Sequence, residues 1–329
     1  MSTGSKKGAL GRVYSIEVAR VTEAAAVAAS YLRGDGDEKA ADQAAVDAMR
    51  RELNRLPIKG RVVIGEGERD EAPMLYIGEE VGDGGTDEID IALDPLEGTT
   101  LCAKDMPNSI AVMAFAPRGG LLNAPDVYMD KIAIGPGMPA GVVDLDASPA
   151  DNIKELAKAK NCPVDEVTAC VLDRPRHADI IESIRSVGAS IRLIGDGDVA
   201  GVIHTTDPEE TGIDIYIGTG GAPEGVLAAA ALRCIGGQMQ GRLVIKNEEQ
   251  RQRSIRMGIE DPSKKYTMEE MACDDVMFAA TGVTDGNILK GVQIRGGKIR
   301  TDTVVMRSTT KTVRWIKGVH ADPNKFKKA

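Results

Sequence analysis

Asp94 and Glu97 lie three residues apart in Ile89-Asp90-Ile91-Ala92-Leu93-Asp94-Pro95-Leu96-Glu97-Gly98-Thr99-Thr100. Across a turn, two carboxylates at that spacing can face one pocket. Gly98 lets the backbone come close to a ligand, and Thr99 and Thr100 offer hydroxyls and amides where a short helix would start. Carboxylates beside exposed N–H groups make a place for a hard cation and an anion together, and a metal-bound phosphate meets that description. Taken alone, the same hexapeptide also reads as a strand-ending turn, with Asp as the cap and Gly as the bend. The rest of the chain decides between the two.

Further acids stand in similar surroundings. The strand pattern at 61–64 runs into Gly65-Glu66-Gly67-Glu68-Arg69-Asp70-Glu71-Ala72-Pro73, where like charges crowd and repel. Glycines on both sides of Glu66 imply a backbone shaped to aim that side chain, as a metal ligand in preference to a solvated acidic loop. Asp196 and Asp198 follow another strand in Gly195-Asp196-Gly197-Asp198, and Glu224 lies in Gly220-Gly221-Ala222-Pro223-Glu224-Gly225. Ligands of open α/β sheets collect at the carboxyl ends of strands, so these acids are candidates for one shared site. The chain has 3 histidines, none in zinc spacing, so the expected cation is Mg²⁺ or Mn²⁺ on oxygen ligands. A dinucleotide fingerprint at 195–201 misses its glycine spacing by one residue, and its aspartates would repel a pyrophosphate. Sugar hydroxyls suit those aspartates better. In Arg174-Pro175-Arg176-His177 the proline holds two guanidinium groups apart in a fixed geometry that can clasp phosphate; a basic surface turn is the competing reading. A second phosphate on these arginines would make the substrate a bisphosphate.

These side chains need a scaffold. At 329 residues, 42% apolar and 28% charged, the chain reads as a soluble globular protein long enough for two domains. Aromatic content of 3% and a net charge of −9 argue against a nucleic-acid partner. No apolar run approaches the ~20 residues that span a bilayer, so no membrane partner is expected. Residues 1–12 read as a loose tail without a signal peptide's apolar core. The 5 cysteines at 102, 162, 170, 234 and 273 are scattered, which points to a reducing compartment, by default the cytoplasm. Helices are predicted at 13–32 and 39–56, the second with an apolar stripe of Val46, Met49 and Leu53. Asp42 falls near its start, where the helix dipole alone would favour a carboxylate. Residues 89–93 predict a buried strand that Pro95 stops, because proline has no N–H to donate. A hairpin turn is expected at 118–120. A boundary near 161–165 divides a metal-binding α/β half, 13–163, from a substrate-binding half, 164–329. The second half alternates strand and helix as a parallel doubly wound sheet does, and ends in antiparallel strands around Gly296-Gly297.

Taken together and in order, Val63-Ile64-Gly65-Glu66-Gly67-Glu68, Asp94-Pro95-Leu96-Glu97-Gly98-Thr99, Arg174-Pro175-Arg176-His177, Asp196-Gly197-Asp198 and Gly220-Gly221-Ala222-Pro223-Glu224-Gly225 resemble class II fructose-1,6-bisphosphatase. The Asp-Pro-x-Glu-Gly-Thr piece is shared more widely with metal-dependent sugar and inositol phosphatases. The resemblance implies a layered αβαβα sugar-phosphatase fold and removal of the 1-phosphate of fructose 1,6-bisphosphate in gluconeogenesis. It implies metal ligation by Asp42, Glu66, Asp94, Glu97 and Glu224. Its substrate contacts fall on Glu97, Gly98, Thr99, Tyr128, Arg174, Pro175, Arg176, Asp196, Gly197, Asp198 and Gly221. Thr99 would orient or deprotonate the attacking water, with Glu66 or Asp70 completing the proton transfer. The family's Gly-Asp-Lys is here Gly36-Asp37-Glu38-Lys39, so Lys39 is assigned no phosphate contact. A homo-oligomer is expected. The rivals are a sedoheptulose 1,7-bisphosphatase, alone or as a second activity, and a silent sugar-phosphate sensor, against which the retained acids, Thr99 and arginines argue.

Overall fold

A computed structural model describes residues 10–67, 74–272 and 275–326. Asp70, Glu68, Glu71 and Cys273 lie outside the described residues. Helices α1 (Tyr14–Ser30) and α2 (Glu38–Leu53) precede β1 (Ile58–Ile64), β2 (Glu80–Val81) and β3 (Asp87–Glu97). The short α3 (Thr99–Ala103) leads to β4 (Ile110–Pro117), β5 (Tyr128–Ile134), α4 (Pro149–Lys160) and β6 (Thr168–Leu172). Next come α5 (Ala178–Ser186), β7 (Ser190–Ile194), α6 (Asp198–Ile203), α7 (Pro208–Thr211) and β8 (Ile215–Gly221). The chain continues through α8 (Ala222–Ile235), β9 (Gln238–Val244), α9 (Glu248–Arg256), β10 (Lys265–Thr267) and α10 (Met268–Met271). It closes with β11 (Met277–Gly282), β12 (Gln293–Arg295), β13 (Lys298–Arg307) and β14 (Thr312–His320).

These strands form two sheets. The first runs β12-β13-β11-β4-β3-β1-β2 with β14 beside β13; the second runs β10-β9-β5-β8-β6-β7. Three apolar cores separate five layers. Val18, Val21, Met49 and Leu53 of α1 and α2 pack on Ile58, Ile91 and Phe115 of the first sheet. Between the sheets, Val226 and Leu227 of α8 and Val199 and Val202 of α6 meet Val112, Phe278, Met129 and Tyr216. Ile153 and Leu156 of α4 and Ile184 of α5 cover Val171 and Ile215 on the far side of the second sheet. The order is αβαβα, as the resemblance implies. The alanine-rich α8 is apolar nearly all round because both of its sides are covered by sheet.

Four local expectations need correction. Pro95 does not stop its strand: β3 pairs with β4 at Asp94 and again at Glu97, with a register shift between them. A bulge tolerates a residue without a ladder donor. Residues 118–120 do not close a hairpin, since β4 belongs to the first sheet and the following β5 to the second. The second sheet is mixed, not uniformly parallel: β6 runs parallel to β7 and β8, while β5 runs antiparallel to β8 and β9. The sheets also trade strands across the expected 163/164 division, β5 going to the second and β11 through β14 to the first.

Candidate functional site

A cavity of about 370 Å³ opens where the strand ends of the two sheets face each other, lined by Asp42, Glu66, Asp94, Glu97 and Glu224 along with Gly98, Thr99, Asp126 and Asp196. Each acid reaches it for a local reason. On α2 the capping task falls to Asp37, whose side chain accepts from Ala40 N–H at 3.0 Å, so Asp42 is not the cap and faces the cavity. Glu66 is aimed by its glycines: a Cβ on Gly65 would lie 2.1 Å from the Leu75 carbonyl oxygen, and Gly67 has φ of +119°. Asp94 and Glu97 flank the bulge of β3. Leu96 N–H donates to Asp94 Oδ1 at 3.0 Å, and Val199 N–H, at the start of α6, donates to Glu97 Oε1 at 3.0 Å. Gly98, at φ +79°, turns the chain into α3, whose first amides have no acceptor within the helix. Glu224 sits in the first turn of α8 behind Pro223, and a Cβ on Gly221 would fall 1.8 Å from its Oε2.

Burial and mutual repulsion mark the acid group. Removal from water, then Asp94, Asp42 and Glu224, hold Glu66 well above its ordinary range. Burial first, then Asp94, does the same to Glu97. Burial also raises Asp94 to about 6 and Glu224 to about 7. Asp42 and Asp196 are raised by the same cause. Carboxylates crowded in this way ask for positive charge, as protons or as a cation. Carboxylate oxygens of Asp94, Glu97 and Glu224 lie within 4.8 Å of one another, and buried Glu224 Oε2 has no hydrogen-bond donor among the described residues. An all-oxygen donor set with a buried lone oxygen fits a hard divalent cation.

Among the described residues, the other predicted ones do not line the cavity. Arg174 sits at its rim: Nη1 donates to the Gly195 carbonyl at 2.6 Å, and Nη2 is 3.8 Å from Asp196 Oδ1. Pro175 begins a single helical turn at 175–177. Arg176 donates through Nε and Nη2 to the Thr219 carbonyl and lies over the Tyr128 ring. His177 is fully buried. Thr219 N–H donates to its Nε2 at 2.9 Å, so Nδ1 carries the proton it gives to the Leu172 carbonyl at 2.7 Å. That imidazole ties β6 to β8 and sets the arginine turn against the sheet edge.

Asp198 is 6% exposed and ion-paired with Lys131, whose Nζ also donates to the Gly221 carbonyl at 2.8 Å. Gly197, at φ +81°, makes the bend that admits this carboxylate, and a Cβ on Gly220 would lie 1.9 Å from its Oδ2. Sequence reasoning missed Lys131, although a lysine inside the apolar run 127–134 is itself a signal of a buried partner. It missed Asp126 as well, for which nothing local speaks.

Residues 12–320 match the family described as bacterial fructose-1,6-bisphosphatase, glpX-encoded. A protein of Synechococcus sp. (strain JA-3-3Ab), named D-fructose 1,6-bisphosphatase class 2/sedoheptulose 1,7-bisphosphatase, is 46% identical over 330 residues, 93% of this chain and 94% of its own. The protein of the same name from Synechocystis sp. (strain ATCC 27184 / PCC 6803 / Kazusa) is 43% identical over 93% of this chain and 95% of its own. Among solved structures, extragenic suppressor protein suhB from Bartonella henselae covers 60% of this chain and 74% of its own, at 14% identity and a TM-score of 0.34. Inositol monophosphatase from Anabaena (Nostoc) sp. PCC 7120 covers 58% and 71%, at 17% identity and a TM-score of 0.29.

Proposed function

The chain belongs to the glpX-encoded bacterial fructose-1,6-bisphosphatase family, and from that premise we propose that its acidic cavity hydrolyses the 1-phosphate of fructose 1,6-bisphosphate. The products are fructose 6-phosphate and inorganic phosphate, and the setting is gluconeogenesis in the cytoplasm. The observation that carries this reading is the meeting of Asp42, Glu66, Asp94, Glu97 and Glu224 with Gly98 and Thr99 in one cavity.

The cation we infer is Mg²⁺ or Mn²⁺, held by those five carboxylates. When bound, it supplies positive charge for the transferring phosphoryl group and an acidified water. Everything else falls to the chain. The leading amides of α3 steady phosphoryl oxygens. Thr99 orients the attacking water or relays its proton, and because a threonine hydroxyl is too weak a base alone, Glu66 or Asp70 accepts that proton. Arg174 and Arg176 hold the 6-phosphate through guanidinium N–H groups, with Pro175 fixing their separation. Asp196, Gly197 and Asp198 bracket the sugar hydroxyls, and Tyr128 and Gly221 bound the far side of the sugar.

The Synechococcus and Synechocystis relatives are also named for sedoheptulose 1,7-bisphosphate. The second reading is that this chain takes both sugars at the same site. A homo-oligomer is part of the proposal, supported by exposed apolar side chains such as Val13, Trp315 and Val319; sedimentation of the whole chain tests it. No helix among the described residues is long and apolar enough to cross a membrane. The deciding experiment is phosphate release from sugar mono- and bisphosphates with Mg²⁺, Mn²⁺ or EDTA. Fructose 1,6-bisphosphate should lead the panel and EDTA should abolish turnover. Full activity in metal-free buffer, or preference for a monophosphate, would sink the reading.

A further inference from the structure

Two cations share one aromatic ring at the edge of the second sheet. Lys246 Nζ lies 4.5 Å and Arg176 Cζ 4.9 Å from the centroid of the Tyr128 ring. Strand register brings them there. Tyr128 opens β5 directly between Gly221 at the end of β8 and Val244 at the end of β9. Lys246, two residues beyond Val244, therefore emerges beside Arg176, which follows β6.

Among the described residues neither cation has a carboxylate within ion-pair distance, in a chain whose net charge is −9. Most other basic side chains with close partners find an acid, as Arg61 does on Asp90 and Lys265 on Asp144. Arg176 spends Nε and Nη2 on the Thr219 carbonyl, which leaves Nη1 for a ligand. Tyr128 is 39% exposed, so the pair is open to solution. Like charges held beside one ring repel, and the ring face offsets only part of that repulsion. An anion placed between them removes it.

We infer that Lys246 is a third cation of the second-phosphate subsite, gripping the terminal phosphate of the sugar bisphosphate together with Arg174 and Arg176. The inference rests on the bisphosphate reading above. The chemistry of the three groups is complementary: the guanidinium groups set the phosphate's orientation, and the ammonium adds a compact charge with rotatable donors.

Lys246→Met keeps an apolar stem on Tyr128 and removes the charge. With fructose 1,6-bisphosphate, KM should rise about tenfold, the value of one charge-assisted contact to phosphate, while kcat stays within about twofold. Lys246→Arg should restore KM to within about threefold of the parent. Turnover of fructose 1-phosphate, which lacks the second phosphate, should move less than about twofold. Arg176→Ala is assayed in parallel. A raised KM in Arg176→Ala with none in Lys246→Met overturns the role of Lys246 and leaves the bisphosphate reading intact. Unchanged KM in both variants overturns the subsite and that reading together. Equal losses on both substrates in Lys246→Met assign the lysine to the fold, and the inference fails.

Discussion

Strand β3 carries two inward-facing aspartates four residues apart, and the protein treats them in opposite ways. Asp90 is fully buried and fully compensated: Arg61 donates to both its oxygens at 3.1 and 3.2 Å, Arg118 Nε lies 3.6 Å away, and Gly119 N–H donates at 2.6 Å. Among the described residues Asp94 has one backbone donor, Leu96 N–H, and its neighbours are further acids, Asp42, Glu97 and Glu224. Where this chain needs a buried carboxylate for structure alone, it supplies arginines and a backbone amide. Where it supplies no arginine and adds more acids, the missing charge has to come from outside. Asp198 is also charge-compensated, by Lys131, and the sugar contact proposed for it draws on its remaining acceptor capacity.

The largest effect should separate the two ends of β3 by activity. Glu97→Gln is expected to cut phosphate release by roughly 10³-fold or more, since it removes charge from groups that act as a unit. Its metal-free form should melt no lower than the parent, because a repulsive charge is gone. A melting loss as large as the activity loss would put Glu97 in the same structural class as Asp90.

Next comes Thr99→Ala, which deletes a hydroxyl and no carboxylate. We expect kcat to fall by about 10²-fold, with metal affinity by calorimetry within about threefold of the parent. A near-normal kcat would reduce Thr99 to a turn residue.

Asp90→Asn should invert the pattern. It leaves Arg61 and Arg118 facing a neutral group, and we expect a stability loss of about 2–3 kcal/mol by urea unfolding. That is less than for a wholly buried pair, because those side chains keep 36% and 30% of their surface exposed. The folded variant should retain kcat, and a loss of turnover without a loss of stability would break the comparison.

The smallest effect is on pH. A carboxyl with a raised folded pKa holds its proton longer when folded, so its stabilising contribution is complete below the unfolded value, near ~4, and declines as pH rises. With Asp94 at about 6 and Glu224 at about 7, the decline should run from just above pH 4 to about pH 7. In EDTA the melting temperature should therefore drop by roughly 3–8 °C across that range. Saturating Mg²⁺ or Mn²⁺ should largely abolish the drop, because the cation replaces the protons. An EDTA-treated protein whose melting temperature rises over the same range would show that the acids are already compensated within the chain, as Asp90 is.

Much of this was legible in the sequence because it is local. The pairing of acids with glycine turns at 65–67, 94–98, 195–198 and 220–225 placed Glu66, Asp94, Glu97, Asp196 and Glu224 together, since a strand end followed by a tight turn projects its side chains at the sheet edge, whereas Asp198 turns away to Lys131. Helix boundaries came within a few residues where caps were strong: Asp37 before α2, and Gly236 at φ +94° after α8. Pro95 misled because proline's missing donor argues against a strand interior only where the ladder needs that donor, and the bulge of β3 removes the need.

By itself, the sequence determined the chemical character of the candidate site: oxygen donors on glycine-shaped turns and a threonine after the positive-φ Gly98, with two proline-spaced arginines as the proposed second-phosphate clasp. These depend on backbone preferences acting over a handful of residues. Only the tertiary structure decided that β5 leaves its sequence neighbours for the second sheet, and so carries Lys131 to Asp198 and Tyr128 to Arg176 and Lys246. Strand partners are chosen by long-range burial and register, with β5 matched residue for residue between β8 and β9. That choice brings together residues up to 118 positions apart, from Tyr128 to Lys246, and no short window of the chain contains it.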